Sequence, residues 1–214
     1  MGSDKLLKLF VVFLVLLLNI VVLLSDTLDN LEVIRQNLTN TYQSLSSYQA
    51  DFKQINHWQE QQTQLVSEGV IFIEGEKFTL SYTKPGSQRI VIDDDKVYII
   101  DDKDRTIIIA ELQDHLNPVG IINLYWNKSK TAIKKETDKE LVIILTSIED
   151  PTIREIEVEV RKKDFMILRI NYEDFDDNKV EFRFLNEKMN RQLDKKAFHI
   201  PLNEGYAIID QSRD

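Results

Sequence analysis

The sequence contains no cysteine among its 214 residues. Disulfide bonds, thiolate metal sites and cysteine nucleophiles are therefore excluded, and so is acylation of a lipoprotein cysteine. Positive charge is also scarce, with 27 Lys and Arg against 36 Asp and Glu and a formal net charge of −9. This balance argues against non-specific binding to nucleic acid and against attraction to an anionic membrane surface.

Motifs for catalysis and metal binding are missing as well. The sequence has no G-x-S-x-G turn, no glycine-rich phosphate loop and no H-E-x-x-H pair. Its three histidines lie far apart, and its aspartate clusters lack the spacing of a calcium loop. We therefore expect no enzyme activity, no cofactor and no metal. The histidines are His57, His115 and His199, and the clusters, interpreted as solvated turns, are at 93–95, 101–104 and 174–177.

The N-terminal segment is the most apolar part of the chain. Lys5 and Lys8 precede an apolar run from Leu9 to Leu24 that only Asn19 interrupts. This pattern predicts a secretory signal peptide over residues 1–25 and a single exported domain over residues 26–214. Because no A-x-A cleavage site follows the run, an uncleaved membrane anchor is the alternative, and both interpretations export the domain.

The region from Glu68 to Ile109 alternates short apolar segments with Gly, Pro and Asp breaks, which predicts a β-meander. In its second strand Phe78, Leu80 and Tyr82 share one face, whereas Thr79 lies on the other. We therefore predict a sheet with one apolar and one polar side, the apolar side being covered by the rest of the chain.

Helical and extended patterns flank this meander. An amphipathic helix is predicted over about residues 26–47, followed by a strand from Tyr48 and a polar hairpin loop over His57–Gln64. A helical insertion near residues 112–126 precedes five further strands between residues 132 and 185. About eleven strands predict an α+β fold, a curved antiparallel sheet that forms an incomplete barrel, with helices over its concave apolar face.

Several short motifs follow one another along the chain: Phe52-x-Gln54, Gly69, Phe78 followed by Pro85, the turn with Asp94, Lys96 and Tyr98, Asn117-Pro118, and the ending Phe198-x-Ile200-Pro201 with Gly205 and Asp210. In their order and spacing these motifs resemble the outer-membrane lipoprotein carrier proteins, the LolA family, from about residue 31 to residue 210. Where that family carries a basic residue and a proline, this sequence has Glu74-Gly75.

The resemblance implies a monomeric periplasmic carrier that shelters the acyl chains of lipoproteins in an apolar cavity. It would take this cargo from an inner-membrane transporter and pass it to an outer-membrane acceptor. A membrane-anchored domain of the same fold that senses lipid or lipoprotein is the alternative. Alternating apolar residues in a sheet also form ordinary core, so both roles are open for the nine cavity candidates: Phe52, Phe78, Leu80, Tyr82, Ile90, Ile92, Ile99, Ile122 and Ile143.

Overall fold

The computed structural model describes residues 30–112, 123 and 125–212. The chain divides into two compact units, residues 1–37 and residues 38–214. In the first unit the described residues 30–37 are helical, and Arg35 donates two hydrogen bonds to Glu32. The predicted signal peptide and most of the predicted helical insertion lie outside the described residues. Within the described ranges, no helix combines the length and apolar character that crossing a bilayer requires.

The second unit is built on one twelve-stranded sheet that does not close on itself. The order across the sheet is β12-β6-β5-β4-β3-β2-β1-β11-β10-β9-β8-β7. The strands are β1 (Tyr48–Trp58), β2 (Thr63–Glu74), β3 (Lys77–Lys84), β4 (Gln88–Asp93), β5 (Lys96–Asp101), β6 (Thr106–Glu111), β7 (Ser129–Glu136), β8 (Glu140–Ser147), β9 (Ile153–Arg161), β10 (Met166–Asp174), β11 (Lys179–Met189) and β12 (Ala207–Asp210).

All neighbouring strands of this sheet are antiparallel except β12 and β6, which run parallel. The predicted fold class is confirmed, because the sheet is curved, unclosed and almost wholly antiparallel, with few helices. The predicted count of about eleven strands falls one short, since the last apolar run forms β12. A short 3₁₀ helix spans Lys195–Phe198.

Two predicted boundaries are wrong. Helix α1, described over residues 30–43, ends four residues before the predicted position, and residues 44–47 lead into β1. The predicted loop over His57–Gln64 shrinks to residues 59–62, because β1 continues to Trp58 and β2 begins at Thr63. Polar side chains such as Gln64 point to solvent at the ends of these strands, so polarity alone did not mark the loop.

Cross-strand register sorts the side chains onto two faces, because residues directly opposite each other point to the same side of a sheet. We term the side that carries Phe52 and Leu80 the first face. The opposite side, which carries Thr79 and Val91, is the second face. Thr79 lies opposite Val91, and Leu80 lies opposite Ile90, in the β3–β4 pair.

The end of α1 packs on the first face. The backbone N–H of Ile167 donates to the Tyr42 hydroxyl oxygen at 3.1 Å, and the Tyr42 ring meets that of Tyr48 edge-on at 5.9 Å. Burial raises the pKa of both tyrosines, so their hydroxyls stay protonated at neutral pH. The packing of residues 38–43 on the first face agrees with the prediction that a helix covers the apolar side of the sheet.

The second face of the meander is covered by the segment Leu193–Tyr206, which we term the C-terminal strap. Phe198 of the strap meets Phe72 at 6.5 Å between ring centroids. Ile200 and Tyr206 pack on a buried cluster. The prediction that Thr79 lies on a polar, outward side is therefore wrong, because its side chain is fully buried. The cluster consists of Val91, Ile100, Ile107 and Ile109.

Candidate functional site

The first face brings together eight of the nine predicted cavity residues. Phe52, Phe78, Leu80, Tyr82, Ile90, Ile92 and Ile99 lie on it in β1, β3, β4 and β5. Ile143 joins them through the register Ile143–Val158–Ile170–Phe182–Gln54, which crosses the late strands. Ile122 lies outside the described residues. The role of these residues in holding lipid stays a prediction.

An aromatic cluster occupies the centre of this face. Phe52 meets Tyr82 edge-on at 5.1 Å and Phe182 at 6.0 Å between ring centroids. Such arrangements contribute about 0.5–1.5 kcal/mol beyond the area that they bury. The Tyr82 hydroxyl donates to Gln54 Oε1 at 2.7 Å, and burial raises the pKa of Tyr82 to about 12, so it remains a donor at neutral pH.

Gly69 makes room for this cluster. A Cβ at this position would lie 2.6 Å from two ring carbons of Phe52 and 2.1 Å from the Ser81 carbonyl oxygen. Only a residue without a side chain lets the Phe52 ring lie over β2 at this point. The glycine of the predicted motif therefore has a packing reason that the sequence did not disclose.

Exposure differs along the first face. Phe52 and Ile143 are almost fully buried, at 2% and 0% exposure, and behave as ordinary core. By contrast, Tyr82, Ile90 and Ile99 are half-buried. Accessible apolar surface therefore lies both on the meander strands and, at Ile170 and Phe182, on the late strands.

Several residues of the first face were missed by sequence reasoning. They share an apolar character and a position opposite a predicted cavity residue or its cross-strand neighbours. The same strict alternation that identified the predicted cavity residues marks these residues too, because they lie in correctly predicted strands from which no cavity candidate was chosen at these positions. They are Ile71, Ile108, Ile133, Ile170, Tyr172, Phe182 and Phe184.

The second face of the late strands has a different chemistry. Glu155, Glu157 and Glu159 alternate with the buried residues of β9, as predicted from the sequence. Arg169 pairs with Glu159 at 2.8 Å, and Lys134 pairs with Glu157. Two open grooves of about 360 Å³ each lie here and are lined mainly by charged side chains, which does not suit a hydrocarbon ligand.

Histidines and carboxylates do not assemble into a metal centre among the described residues. His57 is exposed at the end of β1, and His199 Nε2 lies 2.7 Å from Glu204 Oε1 in the strap. Asp101 accepts hydrogen bonds from the backbone N–H groups of Lys103 and Asp104, as expected of a turn residue. His115 lies outside the described residues.

Comparison with solved structures reveals the same fold in other proteins. An uncharacterized conserved protein from Thermus thermophilus matches with a TM-score of 0.59 at 11% identity, over 85% of this chain and 99% of that one. MucB matches with a TM-score of 0.53 at 13% identity, over 83% of this chain and 64% of MucB. At these identities the likeness shows the fold alone. A LolA superfamily protein from Nitrosomonas europaea matches at 13% identity over 79% of this chain and 97% of that one, with a TM-score of 0.44.

Comparison at the sequence level is more specific. The search among curated proteins gave no match. The family model described as outer membrane lipoprotein carrier protein LolA matches residues 43–201, which is more than half of the chain. That range includes the eight predicted cavity residues on the first face, the aromatic cluster and most of the strap. The resemblance first seen in scattered motifs is thereby confirmed, and the chain belongs to the LolA family of outer membrane lipoprotein carrier proteins.

Proposed function

We propose that this protein is a periplasmic carrier that binds the acyl chains of lipoproteins on the first face and ferries them from the inner toward the outer membrane. The observation that carries this proposal is the gathering of eight predicted cavity residues on one side of an unclosed sheet. Three of them, Tyr82, Ile90 and Ile99, remain half-buried and so offer apolar surface to a ligand. Membership of the lipoprotein carrier family supports the choice of cargo.

The energetics of hydrocarbon burial suit a protein that binds lipid. Burial of a hydrocarbon chain contributes about 0.8 kcal/mol per CH₂, so a 16-carbon chain gains on the order of 10 kcal/mol. This is enough to hold lipid in water, and the difficulty becomes release. We propose that release depends on partners, an inner-membrane transporter that loads the carrier and an outer-membrane acceptor that unloads it.

Photo-crosslinking tests this function directly. A crosslinking amino acid at Ile99 should capture an acylated lipoprotein in cells, whereas one at Thr146, exposed on the second face of β8, should not. Thr79 is unsuitable as the control because it is buried. A cargo variant whose acylated cysteine is replaced by serine should escape capture. Equal capture of acylated and unacylated cargo at Ile99 would contradict acyl-chain binding.

A membrane-anchored sensing domain is the second candidate function. The observation in its favour is the apolar run from Leu9 to Leu24, which lacks an A-x-A cleavage site. N-terminal sequencing of protein from cell-envelope fractions separates the two functions. A chain that starts near Asp26 and fractionates with periplasm supports the carrier, and full-length chain found only in membranes supports the anchored sensor.

A further inference from the structure

Five apolar side chains form one straight row across the first face of β3, β4, β5, β6 and β12. Leu80 lies opposite Ile90, and Ile90 lies opposite Ile99. Ile99 lies opposite Ile108, and Ile108 lies opposite Ile209 in the parallel β6–β12 pair. We term this row the isoleucine track. It runs across the strands from the interior of the sheet to the edge formed by β12.

The rows on either side of the track differ from it and from each other. On the inner side of β3, β4 and β5 the residues two positions along each strand are apolar and buried: Phe78, Ile92 and Val97. On the outer side β4, β5 and β6 carry the polar residues Gln88, Asp101 and Thr106, whereas β3 and β12 carry Tyr82 and Ala207. Across β4 and β5 the track is therefore one residue wide, bounded by core on one side and by a polar rim on the other.

Exposure increases toward the edge of the sheet. Leu80 is 9% exposed, Ile90, Ile99 and Ile108 are half-buried, and Ile209 is 48% exposed. Ile209 lies on the four-residue edge strand β12 and extends the apolar surface of the track to the edge of the sheet. This gradient gives the track a closed end at Leu80 and an open end at Ile209.

We propose that the isoleucine track holds a single saturated hydrocarbon chain, with its methyl end at Leu80 and its polar end leaving the sheet at Ile209. The proposal rests on the proposed function and adds the path, the direction and the length of the bound chain. Five strands at about 4.8 Å spacing give a track of about 19 Å. One leaflet of a bilayer's ~30 Å hydrocarbon core is about 15 Å deep, so the track is long enough to hold an acyl chain of membrane length.

A hydrocarbon fits this surface better than a peptide does. Strands β3, β4, β5 and β6 are each paired on both sides, so their backbone groups are already hydrogen-bonded. A peptide lying across them would lose water from its own N–H and C=O groups without gaining partners, which is costly. An acyl chain has no such groups. An acyl chain that leaves the sheet at β12 also keeps the cargo polypeptide attached to it in solvent, so the size of the cargo protein is not limited.

The chain offers a matched pair of positions for the test. Ile208 and Ile209 are neighbours in β12, with 46% and 48% exposure, but Ile208 lies opposite Ile107 on the second face. Binding of straight-chain fatty acids from eight to twenty carbons is measured by displacement of a fluorescent fatty acid from the purified domain. Circular dichroism confirms folding of Ile209→Asn and Ile208→Asn, both at exposed sites.

For the wild-type domain, each two added carbons should tighten binding roughly tenfold, until the track is filled at about sixteen carbons. Ile209→Asn should weaken binding of the sixteen-carbon acid roughly five- to tenfold and leave the ten-carbon acid unchanged, because the short chain does not need the outer end of the track. Ile208→Asn should match the wild type for both.

Three results would overturn the proposal in distinguishable ways. If the two variants bind every fatty acid with equal affinity, the acyl chain does not leave the sheet at β12. Tight binding by the wild type would in that case still support the carrier function. No binding of any fatty acid by the wild type would reject both. A dimer that Ile209→Asn dissociates, seen by analytical ultracentrifugation, would assign the track to contact between two copies of the chain.

Discussion

The early and late halves of the sheet differ in how their two faces are covered. In the early half, β2–β6, both faces are apolar, and the strap covers the second face. In the late half, β7–β11, the first face is apolar, and the second carries an array of ion pairs such as Arg169 with Glu159, with β8 as the exception through Val142 and Ile144. Sheets covered on both sides tend to have continuous apolar runs, and sheets covered on one side have strict alternation. The two halves therefore show why one fold contains both kinds of strand.

The largest expected effect is a buried charge on the second face of the early half. Val91→Asp places a carboxylate at a position with 0% exposure, under the strap. Loss of about 3–5 kcal/mol of unfolding free energy is expected, because the buried carboxylate would lose its hydration. Ala132→Asp, at an exposed second-face position of β7, should change stability by less than about 0.5 kcal/mol in urea denaturation. Similar losses at both sites would mean that the halves do not differ.

A second test concerns Gly69 in β2, over which the Phe52 ring of the aromatic cluster lies. Gly69→Ala would force a Cβ against the Phe52 ring and the Ser81 carbonyl, so we expect a loss of about 2–4 kcal/mol. Gly86→Ala is the control, because a Cβ there meets no atom within 4 Å. Thermal unfolding followed by circular dichroism compares the two. An equal, small effect would show that the close approach is unimportant.

The strap provides the third test. Phe198→Ala removes the ring that meets Phe72, and a loss of about 2–3 kcal/mol is expected, below the usual cost for a fully buried ring. Leu202→Ala, in the same strap but 39% exposed, should cost less than about 1 kcal/mol. Chemical denaturation of both variants measures the difference. If Phe198→Ala costs no more than Leu202→Ala, the strap does not stabilise the sheet that it covers.

Thr79 allows a gain of stability. Its hydroxyl is fully buried and finds no hydrogen-bond partner within the described part of the protein. Thr79→Val removes this unsatisfied group at nearly constant volume and should stabilise the protein by about 1 kcal/mol. Thr83→Val, on the same strand, loses a hydroxyl that donates to the Glu68 carbonyl at 3.2 Å and should not stabilise. A destabilising Thr79→Val would indicate a partner for the hydroxyl.

The smallest expected effect is a pH dependence of the free energy of unfolding, which arises where Asp102 meets the strap. Two hydrogen bonds from Arg89 and one from Tyr206 hold the pKa of Asp102 below its usual value. Because the folded pKa is lowered, the stabilisation is present above the ordinary aspartate pKa of about 3.9 and is lost as pH falls through the folded value. Asp102 is partly exposed, so Asp102→Asn should cost less than about 1 kcal/mol at neutral pH. The difference between wild type and variant should vanish in acid, and a difference that persists there would contradict the assignment.

The same comparison explains what the sequence could predict. Alternation in β9 and in Phe78–Tyr82 identified the first face correctly, because side-chain direction in a strand follows position alone. The cover on the second face was missed, although the runs Ile90-Val91-Ile92 and Ile107-Ile108-Ile109 are continuous rather than alternating. The strap, the parallel pairing of β12 and the isoleucine track depend on contacts between distant parts of the chain, which local patterns do not encode.

The central claim is that hydrocarbon binds the first face and not the second, and isoleucine methyl groups report on both. In a domain labelled at isoleucine methyls, NOEs to the chain protons of bound hexadecanoic acid should appear at Ile90, Ile99 and Ile108. They should be absent at Ile100 and Ile107, which lie on the second face of the same strands. NOEs confined to Ile100 and Ile107, or present equally on both faces, would contradict the account.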